Sequence, residues 1–214
     1  MKLAANSSDP SSNSPVFSSA EELMDPRDYD RILETCNFAA HMLNEKKLLI
    51  TRRVEARCEV MADILNLNEA VKLQLSLAAR VHRVGELLLP LELQDKCYLD
   101  MGLEERRAYQ AYPVFSARRV CDSRTSPLHD ILLHHREYMS GEGFLKNARG
   151  AEIHVAARVL CVATEYEELI CYRGDDVRKQ DLIQRTMTRN LVGKYDPNIV
   201  DALMISISES ATQH

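Results

Sequence analysis

Apolar residues recur at three- and four-residue intervals along most of this chain, which is the repeat of amphipathic helices. Tyr29, Ile32, Leu33, Cys36, Ala40 and Leu43 predict a first long helix, with Asp25 and Pro26 suited to its N-cap and first turn. Val54, Cys58, Met61 and Leu65 predict a second helix that ends at the Asn66-Leu67-Asn68 turn. Asn68 can cap a third, running through Val71, Leu75, Ala78 and His82 toward Gly85, and Pro90 closes that segment. Shorter helices are expected over 103–111, 113–123 and 127–138, followed by a loop at 140–143 and a long helix over about 152–170. A turn at Gly174-Asp175-Asp176 leads into 177–192, and Pro197 opens a last helix to about 209. No segment alternates with the period of two of a strand. The pattern therefore predicts an all-α bundle of about eight helices.

Composition sharpens this in three ways. Seven Gly and seven Pro in 214 residues disfavour a turn-rich β sandwich or barrel. The first twenty residues hold seven Ser and little apolar surface to offset chain entropy, so 1–19 is expected to be a disordered tail. The remainder is expected to be one helical domain over 20–209 with a flexible end at 210–214. A net charge of −5 argues against broad attraction to a nucleic-acid polymer or an anionic membrane. Six cysteines without CxxC or zinc-finger spacing read as reduced thiols, and no apolar run reaches the length of a membrane span or a secretory signal. A cytoplasmic protein is the expectation.

Chemistry concentrates in two places. His82 stands in the apolar stripe of a helix just before Gly85, a position that suits a hydrogen-bonded core histidine as well as a ligand. His134 and His135 are adjacent at a helix end; neighbours on a helix point about 100° apart and rarely share a ligand. Asp130, four residues before His134, can orient it, whereas His129 is expected to be exposed.

The order of these segments resembles the HD-GYP family of cyclic dinucleotide phosphodiesterases, a branch of the HD phosphohydrolases, over roughly residues 26–205. Ile50-Thr51-Arg52-Arg53-Val54-Glu55 stands for the family's HTRRVA, and Val81-His82-Arg83-Val84-Gly85-Glu86 for the start of LHDIGKIGIP. Tyr112-Pro113 stands for a later HP, and His134-His135-Arg136-Glu137-Tyr138-Met139, one extra Ser140 and Gly141-Glu142-Gly143-Phe144-Leu145 for HHERWDGSGYP. Arg158 to Leu169 matches RILAVADVFDAL, and Tyr195-Asp196-Pro197 matches FDP. The resemblance implies an HD-type helical bundle in which His and Asp side chains hold two or more iron- or manganese-like ions that activate water.

Of the ligand positions so implied, His82, His134 and His135 remain, while Ile50, Arg83, Tyr112 and Thr164 replace a His, an Asp, a His and an Asp, and Glu86 replaces a Lys. A guanidinium and a divalent ion about 4 Å apart repel by roughly 8 kcal/mol at an effective dielectric near 20, so Arg83 opposes metal binding. Arg83 and Glu86, three apart, can pair. The leading expectation is a degenerate domain without phosphodiesterase activity and without a cofactor, acting as a binding or regulatory module in bacterial cyclic di-GMP signalling. Its implied partners are a diguanylate cyclase (GGDEF) domain, met through Gly143-Phe144-Leu145, a cyclic dinucleotide or a second copy of the chain. Arg83 and Arg136, with Arg52 or Arg53, are candidate anion contacts. The alternative is a phosphohydrolase with one Fe, Mn or Zn on His82, His134 and His135, and Glu137 or Glu165 as acid or base.

Overall fold

The computed structural model describes residues 26–121, 126–174, 177–189 and 193–212. Among these residues the chain is helical throughout, with no strand. The elements are α1 (Pro26–Met42), α2 (Glu45–Ile64), α3 (Glu69–Val81), α4 (Leu91–Gln94), α5 (Leu103–Tyr109), α6 (Tyr112–Val120), α7 (Pro127–His134), α8 (Val155–Arg173), α9 (Val177–Arg189) and α10 (Pro197–Thr212). The expected tail at 1–19 lies outside the described residues, and α10 runs three residues past its expected end. No helix among the described residues is long and apolar enough to cross a membrane. All six cysteines are free.

The centre of the bundle is α8. Twelve of its nineteen residues are buried, so it is enclosed nearly all round rather than on one stripe, and α2, α3, α7, α9 and α10 pack against it. Its partner α2 begins nine residues before the periodicity suggested, because the Asn44 side chain caps it by accepting from the Lys47 amide at 2.8 Å. The run Leu48-Leu49-Ile50 blurs the helical repeat there. This early start has consequences, since it brings Lys47 into the interior, 3% exposed.

Among the helices that stop earlier than the pattern predicts, two shape the site. The third helix ends at Val81, with His82 as its C-cap, and the chain tightens into a 3-10 turn over Val84–Leu88. Ser116 of α6 holds that turn: its Oγ accepts from the Gly85 amide at 2.9 Å and donates to the His82 carbonyl at 2.7 Å. A Cβ on Gly85 would overlap the Tyr112 carbonyl oxygen and the Ser116 amide, so only glycine permits this approach. The seventh helix ends at His134, with His135 as its C-cap. His129 on α7, expected at the surface, is instead 8% exposed, because α7 packs against α3, α6 and α8 and has little free face.

A small second core of Leu89, Leu93, Met101, Tyr109, Tyr112 and Phe144 lies beside the main one. Phe144 was expected to contribute to an apolar partner surface. It is 7% exposed and meets the Tyr98, Tyr109 and Tyr112 rings, with the Arg136 guanidinium 4.7 Å from its own ring centre. Stacking against four groups retains it in the interior.

Candidate functional site

The caps of α3 and α7 bring His82 and His135 together, both fully buried, with ring centroids 5.5 Å apart and nearly perpendicular. Each imidazole is oriented by its own helix end. His82 Nδ1 donates to the Ala79 carbonyl at 2.8 Å and His135 Nδ1 to the Leu132 carbonyl at 2.7 Å, because a carbonyl can only accept. Both Nε2 atoms therefore carry lone pairs facing inward. That of His135 accepts from the Tyr112 hydroxyl at 2.9 Å, whereas that of His82 has no partner. Burial, reinforced by the Arg83 charge, pushes His82 down to about 3. Burial and the neighbouring His82 likewise push His135 well below the usual imidazole range.

His134 does not join them. It is half-buried on α7, and burial lowers its pKa while the Asp130 carboxylate acts in the opposite sense and His129 adds to the lowering. The divergence of adjacent helical residues expected from the sequence is what the fold displays. Ile50 is fully buried in the main core, and Thr164, also fully buried, leaves its Oγ1 without a partner.

Around the two imidazoles runs a chain of opposite charges. Lys47 Nζ lies 2.5 Å from Glu86, and Glu86 lies 2.7 Å from Arg83 Nη2. Arg83 Nη1 lies 2.6 Å from Glu168, and Glu168 lies 3.2 Å from Arg136 Nη1. The Tyr109 hydroxyl also donates to Glu86 at 2.9 Å. The Arg83–Glu86 pair was expected from their spacing. Lys47, Glu168 and Tyr109 were missed, although Lys47 sits one turn before Ile50 and Glu168 one turn after Thr164, which places each on the face of a replaced ligand position. Burial would raise Glu168, but Arg136 and then Arg83 hold it down to about 2. Burial lowers Lys47, and the Glu86 carboxylate offsets only part of that. Three cations and two carboxylates leave one surplus positive charge inside.

The candidate acid–base residues work elsewhere. Glu137 Oε1 accepts from the Leu145 amide at 2.6 Å and the Lys146 amide at 3.2 Å, shaping the loop after α7, and burial raises its pKa. Glu165 accepts from Tyr138 at 2.7 Å, from Lys194 at 2.7 Å and from Tyr195. Of the candidate anion contacts, Arg83 and Arg136 meet at Glu168, while Arg53 is turned to Glu167 at 2.8 Å and Arg52 is exposed.

These residues do not fit a two-metal centre. One imidazole nitrogen is engaged by Tyr112, and His134 stands apart from the other two histidines. The carboxylates within reach are neutralised by lysine and arginine. Among the described residues no group of three or more His, Cys, Asp or Glu is arranged to hold a metal ion.

Comparison with known proteins explains why the scaffold has this form. The chain is 23% identical over 184 residues to the 3'3'-cGAMP-specific phosphodiesterase 1 of Vibrio cholerae serotype O1, covering 76% of this chain and 40% of that protein. It thus spans two fifths of that relative's length. Its fold matches Bd1817, an HDG"Y"P protein from Bdellovibrio bacteriovorus, with a TM-score of 0.62 and 19% identity over 86% of this chain and 66% of that one. It also matches the HD domain of the L. monocytogenes phosphodiesterase PgpH, with a TM-score of 0.56 and 12% identity over 89% of this chain and all of that one. The family described as the HD domain matches residues 37–199, a stretch that contains the charge cluster from Lys47 to Glu168, and the protein is accordingly a member of the HD domain family.

Proposed function

We propose that this HD domain does not cleave phosphodiesters and serves as a protein-binding or regulatory module in bacterial cyclic dinucleotide signalling, acting in the cytoplasm. The observation that carries the reading is Arg83. It stands where the resembled family has a metal-binding aspartate and is 1% exposed. Of the two carboxylates it touches, Glu86 is buried and Glu168 is 13% exposed, and both would have to be released before either could serve a metal. Freeing them would leave charges unpaired in the interior, which costs several kcal/mol each.

The alternative, hydrolysis through a metal on His82, His134 and His135, needs His134 to swing inward and Tyr112 to release His135. It also leaves Glu137 and Glu165 away from the reacting atoms. Anion capture by Arg83 and Arg136 loses support because both guanidinium groups are buried and already hydrogen-bonded to carboxylates.

A protein partner is favoured by the segment that follows Glu86. Leu88, Leu91, Leu99 and Leu103 are 64%, 78%, 53% and 78% exposed within sixteen residues, a density of solvent-facing leucine that marks contact surfaces. A diguanylate cyclase domain is the partner class implied by the family, and this leucine segment replaces the inward-facing Phe144 as its contact.

The deciding experiment is a cyclic di-GMP hydrolysis assay on protein loaded with Mn2+ or Fe2+. No linear product is expected. Linearisation at a rate that His134→Ala abolishes would overturn the reading in favour of the enzyme. Binding to a diguanylate cyclase domain, measured by calorimetry, should be lost in Leu91→Asp/Leu103→Asp; binding unaffected by those changes would remove the leucine segment from the account.

A further inference from the structure

Arg136 also lines a cavity of about 220 Å3 between the segment around Tyr98, the loop after α7, α8, α9 and the Lys194-Tyr195 segment. That is below the roughly 300–1,000 Å3 of clefts that enclose drug-sized ligands, so it suits something smaller. Three tyrosines, Tyr98, Tyr138 and Tyr195, line it. Its charged walls are two closed pairs, Arg136 with Glu168 and Lys194 with Glu165.

The Lys194 pair shows what the cavity selects. Lys194 Nζ lies 4.5 Å from the centre of the Tyr138 ring, 4.8 Å from that of Tyr195, and 2.7 Å from Glu165. An ammonium against two aromatic rings and a carboxylate is the recognition set for an organic cation. Glu165 is 8% exposed, yet Arg136, Lys194 and the hydroxyl of Tyr195 keep its pKa below the usual range despite burial. The Lys194 side chain, by contrast, is 31% exposed, and it follows Gly193, whose positive φ of 79° marks a tight bend. Because the lysine reaches the surface while Glu165 is buried, the lysine can leave when another ammonium takes its place at the carboxylate. Once it does, the Glu165 carboxylate faces three tyrosines without its lysine.

We infer that this cavity is a receptor for a small alkylammonium compound, with Glu165 as its counter-charge, Tyr138 and Tyr195 as its aromatic walls, and Lys194 as a tethered occupant that the ligand displaces. A phosphate-bearing ligand is disfavoured there, because both cationic groups are already neutralised and an added anion would face Glu165 and Glu168. The inference does not depend on whether the domain hydrolyses anything.

The chain has eight tyrosines and no tryptophan, so tyrosine fluorescence reports on these walls. The full chain is titrated with butylammonium and with tetramethylammonium, holding ionic strength constant with sodium chloride. Lys194→Met should bind both about tenfold more tightly than the unaltered protein. Glu165→Gln or Tyr138→Leu added to Lys194→Met should reverse that gain, with thermal melting used to choose whichever double variant is folded. Lys194→Met binding no more tightly than the unaltered protein would overturn the inference, as would a gain that survives in a folded double variant. Binding of inorganic phosphate in preference to either ammonium would overturn it too.

Discussion

Glu167 and Glu168 are neighbours on α8, and each ties together two arginines, but the two sites differ in how they are built. Glu167 receives Arg53 at 2.8 Å and Arg57 at 3.0 Å, both from α2, and Arg57 continues to Ser206 of α10 at 3.1 Å. Those arginines are 42% and 14% exposed, so water shares in solvating them. Glu168 receives Arg83 and Arg136, which are 1% and 3% exposed, from two different helix ends. The first is a fastener between helices. The second is a buried charge cluster that joins two helix ends beside the paired imidazoles.

The comparison predicts a hierarchy of effects. Replacing Glu168 by Gln leaves Arg83 and Arg136 without their shared counter-charge and should cost about 3–5 kcal/mol in urea unfolding. Gly85→Ala, which forces backbone apart at the Tyr112 and Ser116 contact, should cost roughly 1–3 kcal/mol. Glu167→Gln, whose arginines stay partly hydrated, should cost about 1–2 kcal/mol. At the bottom, Arg107→Ala removes a pair that is 74% and 83% exposed and should leave the unfolding midpoint unchanged. A Glu167 effect as large as that of Glu168 would break the distinction between the two sites.

Acid sharpens the same contrast. Glu168 is held at about 2 in the fold, against about 4.3 in an unfolded chain, so the unfolded state takes up the proton first as pH falls. Its contribution is complete above about pH 4.5 and is lost toward pH 2, a difference of about 3 kcal/mol. His82, held near 3, acts in the same direction over a higher window, because an unfolded histidine protonates near 6.5 while the buried one stays neutral. Stability should therefore fall continuously from pH 7.5 to 3.5, and between pH 5 and 3.5 it should fall less steeply in Glu168→Gln than in the unaltered protein. An equal fall between pH 5 and 3.5 in the two proteins would contradict the assignment.

How much of this could be read from the chain depended on separation in sequence. The helices declared themselves through their periodicity and caps, and the Arg83–Glu86 pair through a three-residue spacing. Lys47 and Glu168 reach the same cluster from 39 and 85 residues away, a distance over which local pattern carries no information. The helix ends were misjudged where tertiary contacts set them: α3 stops because α6 presses on Gly85, and α7 stops before a loop that Glu137 organises through backbone amides. His129 reads as solvent-facing on its own helix and Phe144 as a contact surface through the resemblance of its loop, and the packing of neighbouring elements encloses both. Glu137 and Glu165 were plausible acids by position alone, and their hydrogen-bond partners assign them to a loop and to a tyrosine-walled cavity.

We propose that charge pairing has replaced metal coordination in the interior of this HD domain. It is tested most directly by calorimetric titration of chelator-treated protein with Mn2+, Fe2+ and Zn2+. The account predicts no saturable binding that depends on His82 or His135. Stoichiometric binding abolished by His135→Ala would contradict it.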